Sequence, residues 1–364
     1  MRACDVCLRR TALVALLAGH IERARRNRRH IAELLALPDG DLLAALGGER
    51  RADIERALER FDPDAARQRA ARASLQACCR HDAGYPARLG QTADAPAVLH
   101  VAGDAARLSV LCDADAPAVA IVGARRAGPD GLETARGLAR GLAAADVTVV
   151  SGMALGIDSA AHAGALEAGG PTLCVLASGA DVPYPPSKRG LYRSIVRTQA
   201  AISEMPPGFQ PYRWCFPARN RTIAALATLT IVVEATDRSG SLITAELAQD
   251  LGRAVGAVPG AVGSSRATGA NSLLRDGALV IRHAQDALDE VLGVGVATAL
   301  AGPGTAGLAA PLRALLERIE GGEDTVAGLA TTPAHAQVVM AGLAELELLG
   351  FLCRGPGGRY VRCA

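Results

Sequence analysis

The segment Phe216-Pro-Ala-Arg-Asn-Arg-Thr-Ile223 places two guanidinium groups where a helix is expected to resist them. Pro217 suits the first helical position and residues 222–227 continue as helix formers or core, so Arg219 and Arg221 are expected in or near the opening turn. Positive dipole already gathers at that end, and a cation there costs about 0.3 to 1 kcal/mol unless an anion faces it. Phosphate meets the requirement. Free N–H groups at helix N-termini bind anions, and an arginine fork extends the contact beyond one phosphate. Pairing with a nearby Asp or Glu is the plainer alternative for any isolated arginine pair.

The surroundings favour the anion. Between Lys188 and Arg221 stand seven basic residues, Lys188, Arg189, Arg193, Arg197, Arg213, Arg219 and Arg221, against Glu204 alone. The whole chain carries a net charge of only +2, so the excess is local, the pattern of a polyanion partner rather than of general solubility. Of the five tyrosines, four phenylalanines and one tryptophan, Tyr184, Tyr192, Phe209, Tyr212, Trp214 and Phe216 fall in the same region. Interleaved cations and ring faces suit an unpaired nucleic-acid strand, in which each stacked base contributes about 1 to 3 kcal/mol. Trp214 is equally suited to plugging a core or a dimer seam, whereas Phe216 adjoins the arginines.

Glycine- and serine-bearing turns extend the set. Gly123, in Gly123-Ala-Arg125, lets the backbone approach an anion and Arg125 adds a forked donor, although a glycine at that place also serves simply to turn the chain. The G-x-G-x-x-G pattern of dinucleotide binders is absent there, which argues against nicotinamide chemistry. Ser151, Gly152 and Gly156 surround a loop ending at Asp158, expected to cap a helix over 159–167. His162 lies one turn on, within reach of Asp158. With no adjacent nucleophile or second acid, the pair reads as a capping carboxylate satisfied by an imidazole, and no catalytic set is expected. Ser239-Gly-Ser241 opens a helix over 242–251 with hydroxyls and free amides, and Thr244 follows one turn in, a second anion cradle that ordinary capping would equally explain.

A common scaffold must bring these turns together. From Ala118 onward, apolar β-rich runs at 118–122, 147–150, 172–176, 229–234 and 253–258 each end in a turn and then a helix. Runs without alternation belong to strands buried on both faces, and the interposed helices imply right-handed βαβ units. The expected fold class is α/β: a doubly wound, Rossmann-like parallel or mixed sheet whose ligand crevice lies beyond the carboxyl ends of its strands. Residues 1–80 read as a helical module broken at Pro38-Asp39-Gly40 and Gly47-Gly48. Residues 81–116, turn-rich around a strand at 98–101, lead into the main domain, 81–292. After a linker at 293–310, residues 311–364 read as helices at 311–319, 325–330 and 333–349 and a hairpin at 351–362 with Gly355, Gly357 and Gly358 at its tip, which together make a winged helix. The 333–349 helix lacks Lys and Arg and carries Glu345 and Glu347, so duplex DNA binding by it is not expected.

The totals exclude other classes. With 50% hydrophobic and 21% charged residues over 364 positions, the chain is neither disordered nor fibrous and suggests two or three domains. The first 80 residues carry 16 arginines against 11 acids. Nine cysteines repeat no ligand spacing apart from Cys4-x-x-Cys7. A zinc site would want a second such pair, so free thiols in a reducing cytosol, and no metal, are expected. Residues 11–19 are too short and lack a cleavage site for a signal peptide. No segment approaches the roughly 18 to 20 apolar residues of a membrane span, and a cytoplasmic location is expected.

With these residues in hand, the chain resembles the DNA-processing protein A (DprA, also called Smf) family. The likeness runs from Tyr85-Pro86 through Ile-Val-Gly-Ala-Arg125, Ser-Gly-Met-Ala-Leu-Gly-Ile-Asp158, Ala-Ala-His162, Tyr-Pro185, Ser-Glu204, Phe-Pro-Ala-Arg-Asn-Arg221, Val-Glu-Ala235, Ser-Gly-Ser-Leu-Ile-Thr244, Val-Pro-Gly260 and Gly-x-Asn271 to Gly-Ala278. The helical module, similar to a sterile-alpha-motif or helix-hairpin-helix unit, and the winged helix also look like that family's flanking domains. The resemblance implies a cytoplasmic, homodimeric single-stranded DNA-binding protein without turnover or cofactor, which protects incoming DNA in natural transformation and helps load the RecA recombinase. Carried onto this sequence, its binding residues would be Gly123, Arg125, Ser151, Gly152, Phe216, Arg219, Asn220, Arg221, Ser239 and Ser241, with Thr244 and Asn271. Two positions depart from the family: Ala124 stands where Ser or Thr is usual, and Leu155 where Arg or Lys is usual. One hydroxyl and one charge are thereby missing, and the arginine-rich N-terminal module is a hypothetical compensation. A rival from another class is an enzyme on a related Rossmann-like fold that cleaves the glycosidic bond of a nucleoside monophosphate, but its Pro-Gly-Gly-x-Gly-Thr-x-x-Glu signature is absent. A third reading is a protein-interaction scaffold with an empty crevice.

Overall fold

The uninterrupted apolar runs become the centre of a nine-stranded sheet. The computed structural model describes residues 2–24, 30–296, 308–330, 332–349, 351–354 and 358–362, in two units, Met1–Val296 and Ala297–Ala364. The strands of the first unit are β1 (Leu75–Cys79), β2 (Val98–Gly103), β3 (Ala118–Val122), β4 (Thr148–Ser151), β5 (Thr172–Val175), β6 (Ala200–Ser203), β7 (Leu229–Val232), β8 (Ala254–Ala257) and β9 (Leu279–Val280). Every residue of β3 to β7 is buried, as strands covered by helices on both faces require.

Their order is β1-β2-β6-β5-β4-β3-β7-β8-β9. The pairs from β6 to β9 are parallel, with Ala120 opposite Thr230 and Val150 opposite Leu173. The β1–β2 and β2–β6 pairs are antiparallel, so the sheet is mixed. From the central β3 the chain builds outward through β4, β5 and β6, then returns to β3's other side for β7, β8 and β9. That reversal between β3 and β7 leaves a crevice at the strands' carboxyl ends, because the flanking loops there diverge to opposite faces.

Three parts of the sequence reading change. Residues 75–79 form β1 rather than the end of the helical module, whose last helix is Pro63–Arg72. β6 is also absent from the sequence reading, because its Ala-Ala-Ile-Ser is too poor in bulky β-formers to stand out. Nor is the helical part a separate body. Leu13, Leu17, Ile21, Leu42 and Ile54 share one core with Trp214, Cys215 and Ala218 of the sheet domain. Trp214 is fully buried, and its indole Nε1–H donates to the Ala18 carbonyl at 3.0 Å. Core plugging therefore wins over base stacking at this position.

The second unit contains the helices Ala310–Glu320, Val326–Leu329 and Pro333–Leu348 and an antiparallel hairpin of β10 (Leu352–Arg354) and β11 (Tyr360–Arg362). Leu316, Leu343, Leu346, Phe351 and Tyr360 form its core. The element order is the one expected above for 311–364. Most of the expected linker, residues 297–307, and the hairpin-tip residues Gly355 and Gly357 lie outside the described residues. Among those described, no helix is long and apolar enough to cross a membrane.

Candidate nucleic-acid interface

A groove of about 420 Å³ opens at the carboxyl ends of β3, β4 and β7, beside the strand-order reversal. After β3 come Gly123 and Arg125. A Cβ on Gly123 would lie 2.6 Å from Ile157 Cγ1 and 3.0 Å from the Glu234 carbonyl oxygen. Glycine is thus demanded by close packing of the Ile157–Glu167 helix, and the bare backbone it leaves is part of the groove wall. Arg125 is exposed, with Cζ 5.1 Å from the Phe216 ring centroid. Phe216 in turn lies 5.3 Å from the ring of Tyr184. Such a cation–π contact holds the guanidinium in place while leaving its N–H groups to a ligand.

On the opposite wall Ser239 caps the Gly240–Asp250 helix, accepting the Ser241 N–H at 3.4 Å, and the two hydroxyls stand 2.7 Å apart. Thr244 lies one turn further along the same wall. The cradle expected from Ser239-Gly-Ser241 therefore exists, at a helix end whose remaining amides carry positive dipole. Asn220 reaches across it, its Nδ2 donating to the Gly240 carbonyl at 3.4 Å.

The arginine pair behaves differently from expectation. The helix runs Cys215–Leu226, beginning at Cys215 beside the buried Trp214. Pro217 thus takes its third position, where it costs no hydrogen bond because first-turn amides lack intrahelical acceptors. Arg219 and Arg221 consequently lie beyond the opening turn. Arg219 forms part of the groove floor, but its Nη1 donates to the carbonyls of Gly152 at 2.7 Å and Val175 at 2.6 Å. Burial pushes its pKa down, and nearby Asp158 opposes that shift. Its role is to hold the ends of β4 and β5 and to place charge beneath the groove.

Arg221 is a correction to the sequence reading. Its side chain is 6% exposed and pairs with Glu204 and, at 3.5 Å, with Asp94. It is not part of the groove lining. The plainer alternative, pairing with internal carboxylates, holds here, through an acid 17 residues away and another 127 away. Burial pushes the Glu204 carboxyl up, and Arg221 counters it.

Ser151 and Asn271 are also displaced from the expected set. The fully buried Ser151 donates its hydroxyl to the Ile121 carbonyl at 2.6 Å. Asn271 clamps both backbone groups of Gly260, at 3.1 and 3.0 Å, away from the groove lining. Gly152 gives its N–H to Asp158 and its carbonyl to Arg219, and borders a smaller hollow shared by Leu155, Tyr184 and Phe216. The expected Asp158–His162 pair is replaced as well. Gly156, not Asp158, precedes the helix, and the buried His162 Nδ1 is 2.7 Å from Thr172 Oγ1.

Two groove cations were absent from the expected binding set. Arg213 and Arg238 are exposed, line the groove and, like Arg125, form no salt bridge among the described residues. Arg238 had a signal in its position beside the Ser239 cradle, and Arg213 in the basic stripe. Arg189, Arg193 and Arg197 instead project from the Arg189–Thr198 helix, outside the groove lining.

A doubly wound sheet with exposed arginines, a ring pair and a serine-capped helix end around its switch-point crevice defines a Rossmann-like protein whose groove is equipped for an anionic ligand. The comparisons with known proteins are specific. The family model for DNA recombination-mediator protein A matches residues 76–292, and the chain belongs to that family. It is 41% identical over 292 residues to a DNA processing protein DprA of Mycobacterium tuberculosis, covering 77% of this chain and 72% of the relative. The structure of DNA processing protein A from Streptococcus pneumoniae superposes with a TM-score of 0.63 at 32% identity, over 80% of this chain and 99% of that one. That of DNA processing protein A from Helicobacter pylori, described for its single-stranded DNA binding mode, gives 0.54 at 30% identity, over 60% and 97%.

Proposed function

We propose that this chain binds single-stranded DNA without turning it over, shielding the strand in the cytoplasm and passing it, as a homodimer, to a RecA recombinase. The observation that carries the binding is the Arg125–Phe216–Tyr184 stack, set beside Arg213 and Arg238 on a groove whose far wall is the Ser239 cradle. Cations on a sugar–phosphate backbone and ring faces for unpaired bases are what a single strand uses and what a base-paired duplex cannot share, since its bases are already stacked. Membership of the DNA recombination-mediator family and the single-stranded DNA binding described for the Helicobacter relative support the same ligand. The recombinase, the homodimer and a part in transformation rest on the family resemblance. The separate engagements of Asp158 and His162 support binding over catalysis.

Titration of a labelled single-stranded oligonucleotide and its duplex by anisotropy tests the proposal. The single strand is expected to bind tighter, and each phosphate contact to add about −0.7 to the slope of log K against log salt. A flat salt dependence, or preference for the duplex, would overturn it.

Leu155 offers a gain-of-function test. It is 43% exposed beside Tyr184 and Phe216, so an arginine there gains a phosphate contact without displacing core. Leu155→Arg is expected to tighten single-strand binding about fivefold at roughly 0.1 M salt, the value of one contact at that slope. Unchanged affinity across salt would place the strand elsewhere.

A further inference from the structure

Four thiol and imidazole groups from opposite ends of the N-terminal module meet at one point. Cys4 directly precedes the Asp5–Ala24 helix and Cys7 lies in its first turn, while Cys79 ends β1 and His81 follows in the next turn. The four donor atoms all lie within 4.8 Å of one another. Cys4 Sγ and Cys7 Sγ are each 3.4 Å from the same His81 Nδ1. Cys-x-x-Cys and Cys-x-His are thus the two halves of one set, 74 and 77 residues apart. The sequence reading missed the second half because it sought another Cys-x-x-Cys.

We propose that Cys4, Cys7, Cys79 and His81 form a structural zinc site that fastens the helical module to the sheet's edge strand. Three thiolates and an imidazole are an established closed, tetrahedral zinc set. Bonds of about 2.3 Å to sulfur and 2.0–2.1 Å to nitrogen put the two atoms roughly 3.6 Å apart in a tetrahedron, close to the distances found. Hydrogen bonding alone explains the convergence poorly, because one neutral ring nitrogen either donates one proton or offers one lone pair, yet two sulfurs face it. All three thiols are free, so none is committed to a disulfide.

The surroundings hold the donors in place. Asp82 accepts the Cys79 N–H at 2.9 Å and donates its own N–H to the Cys79 carbonyl at 2.8 Å, closing the turn that carries His81. Arg67 donates to the Ala3 carbonyl at 3.3 and 2.9 Å, fixing the chain just before Cys4. Cys7 and Cys79 are buried with Ala3, Leu8 and Val98, while His81 is exposed and forms the outer side. Binding would release the thiol protons, so the affinity is expected to rise with pH until the thiols are ionised.

The test uses the full chain, purified under reducing conditions without a histidine tag. Elemental analysis is expected to find about one zinc per chain, and cobalt exchanged for it to show the visible absorption of a tetrahedral thiolate site. Cys79→Ser should abolish stoichiometric zinc, and Cys112→Ser, outside the cluster, should retain it. Should Cys79→Ser fail to fold, the exposed His81→Ala gives the same readout, the loss of stoichiometric zinc. Chelation should lower the thermal midpoint of the parent chain and leave that of folded His81→Ala unchanged. A reduced, folded chain with neither zinc nor a cobalt spectrum, zinc retained by His81→Ala, or a Cys4–Cys79 or Cys4–Cys7 disulfide in place of metal would overturn the proposal.

Discussion

Replacing Arg125, Arg213 and Arg238 together by alanine is expected to weaken single-stranded oligonucleotide binding roughly a hundredfold at about 0.1 M salt and to flatten the salt slope by about two. The estimate follows from three lost phosphate contacts, each worth about 0.7 in slope and therefore about fivefold at that salt. None of the three forms a salt bridge among the described residues and all are exposed, so the substitutions should leave the unfolding midpoint nearly unchanged. Arg193→Ala with Arg197→Ala, on the outer helix, is the matched control. A triple variant that binds as well as its parent, or a control that loses as much, would move the strand from the groove to the outer helix.

Arg221→Ala is expected to destabilise the fold by about 3–5 kcal/mol, because it strands a buried carboxylate without its counter-charge. Glu204 is 11% exposed and Asp94 20%, and burial already pushes the Glu204 carboxyl up against Arg221's pull. Denaturant unfolding followed by far-UV circular dichroism reads the loss. The double variant Arg221→Met with Glu204→Gln should recover much of it, since removing both charges removes the desolvation cost along with the attraction. DNA affinity per folded molecule should be unchanged in Arg221→Ala. The opposite pattern, unchanged stability with tenfold weaker binding, would restore Arg221 to the ligand.

The fold divides residues that the sequence presents as one motif. Arg219 and Arg221 stand two apart on one helix, near Arg213, and local spacing gives them the same character. Their fates diverge because a helix turns about 100° per residue, so alternate side chains face different neighbours. One meets the carbonyl ends of β4 and β5, the other two acids from distant loops.

The aromatics divide for the same reason. Phe216 and Tyr184 meet at the groove, whereas Trp214 is taken by the Ala18 carbonyl, 196 residues away. The Leu155 departure also acquires meaning only in space, as an apolar side chain beside the ring pair where a cation would fit.

What this sequence determined by itself is whatever rests on neighbours along the chain. Buried strands need unbroken apolar runs, so the parallel core from β3 to β8, except for the alanine-rich β6, was legible, as were the turns that carry Gly123 and Ser239. From those and the motif order the family and the location of the crevice followed. The tertiary structure alone decided which cations stay free, which ring faces solvent, where β1 and β6 pair and how Cys4 and Cys7 meet Cys79 and His81. Those outcomes depend on which partner arrives from scores of residues away to neutralise, bury or complete a group, and no local spacing encodes that arrival.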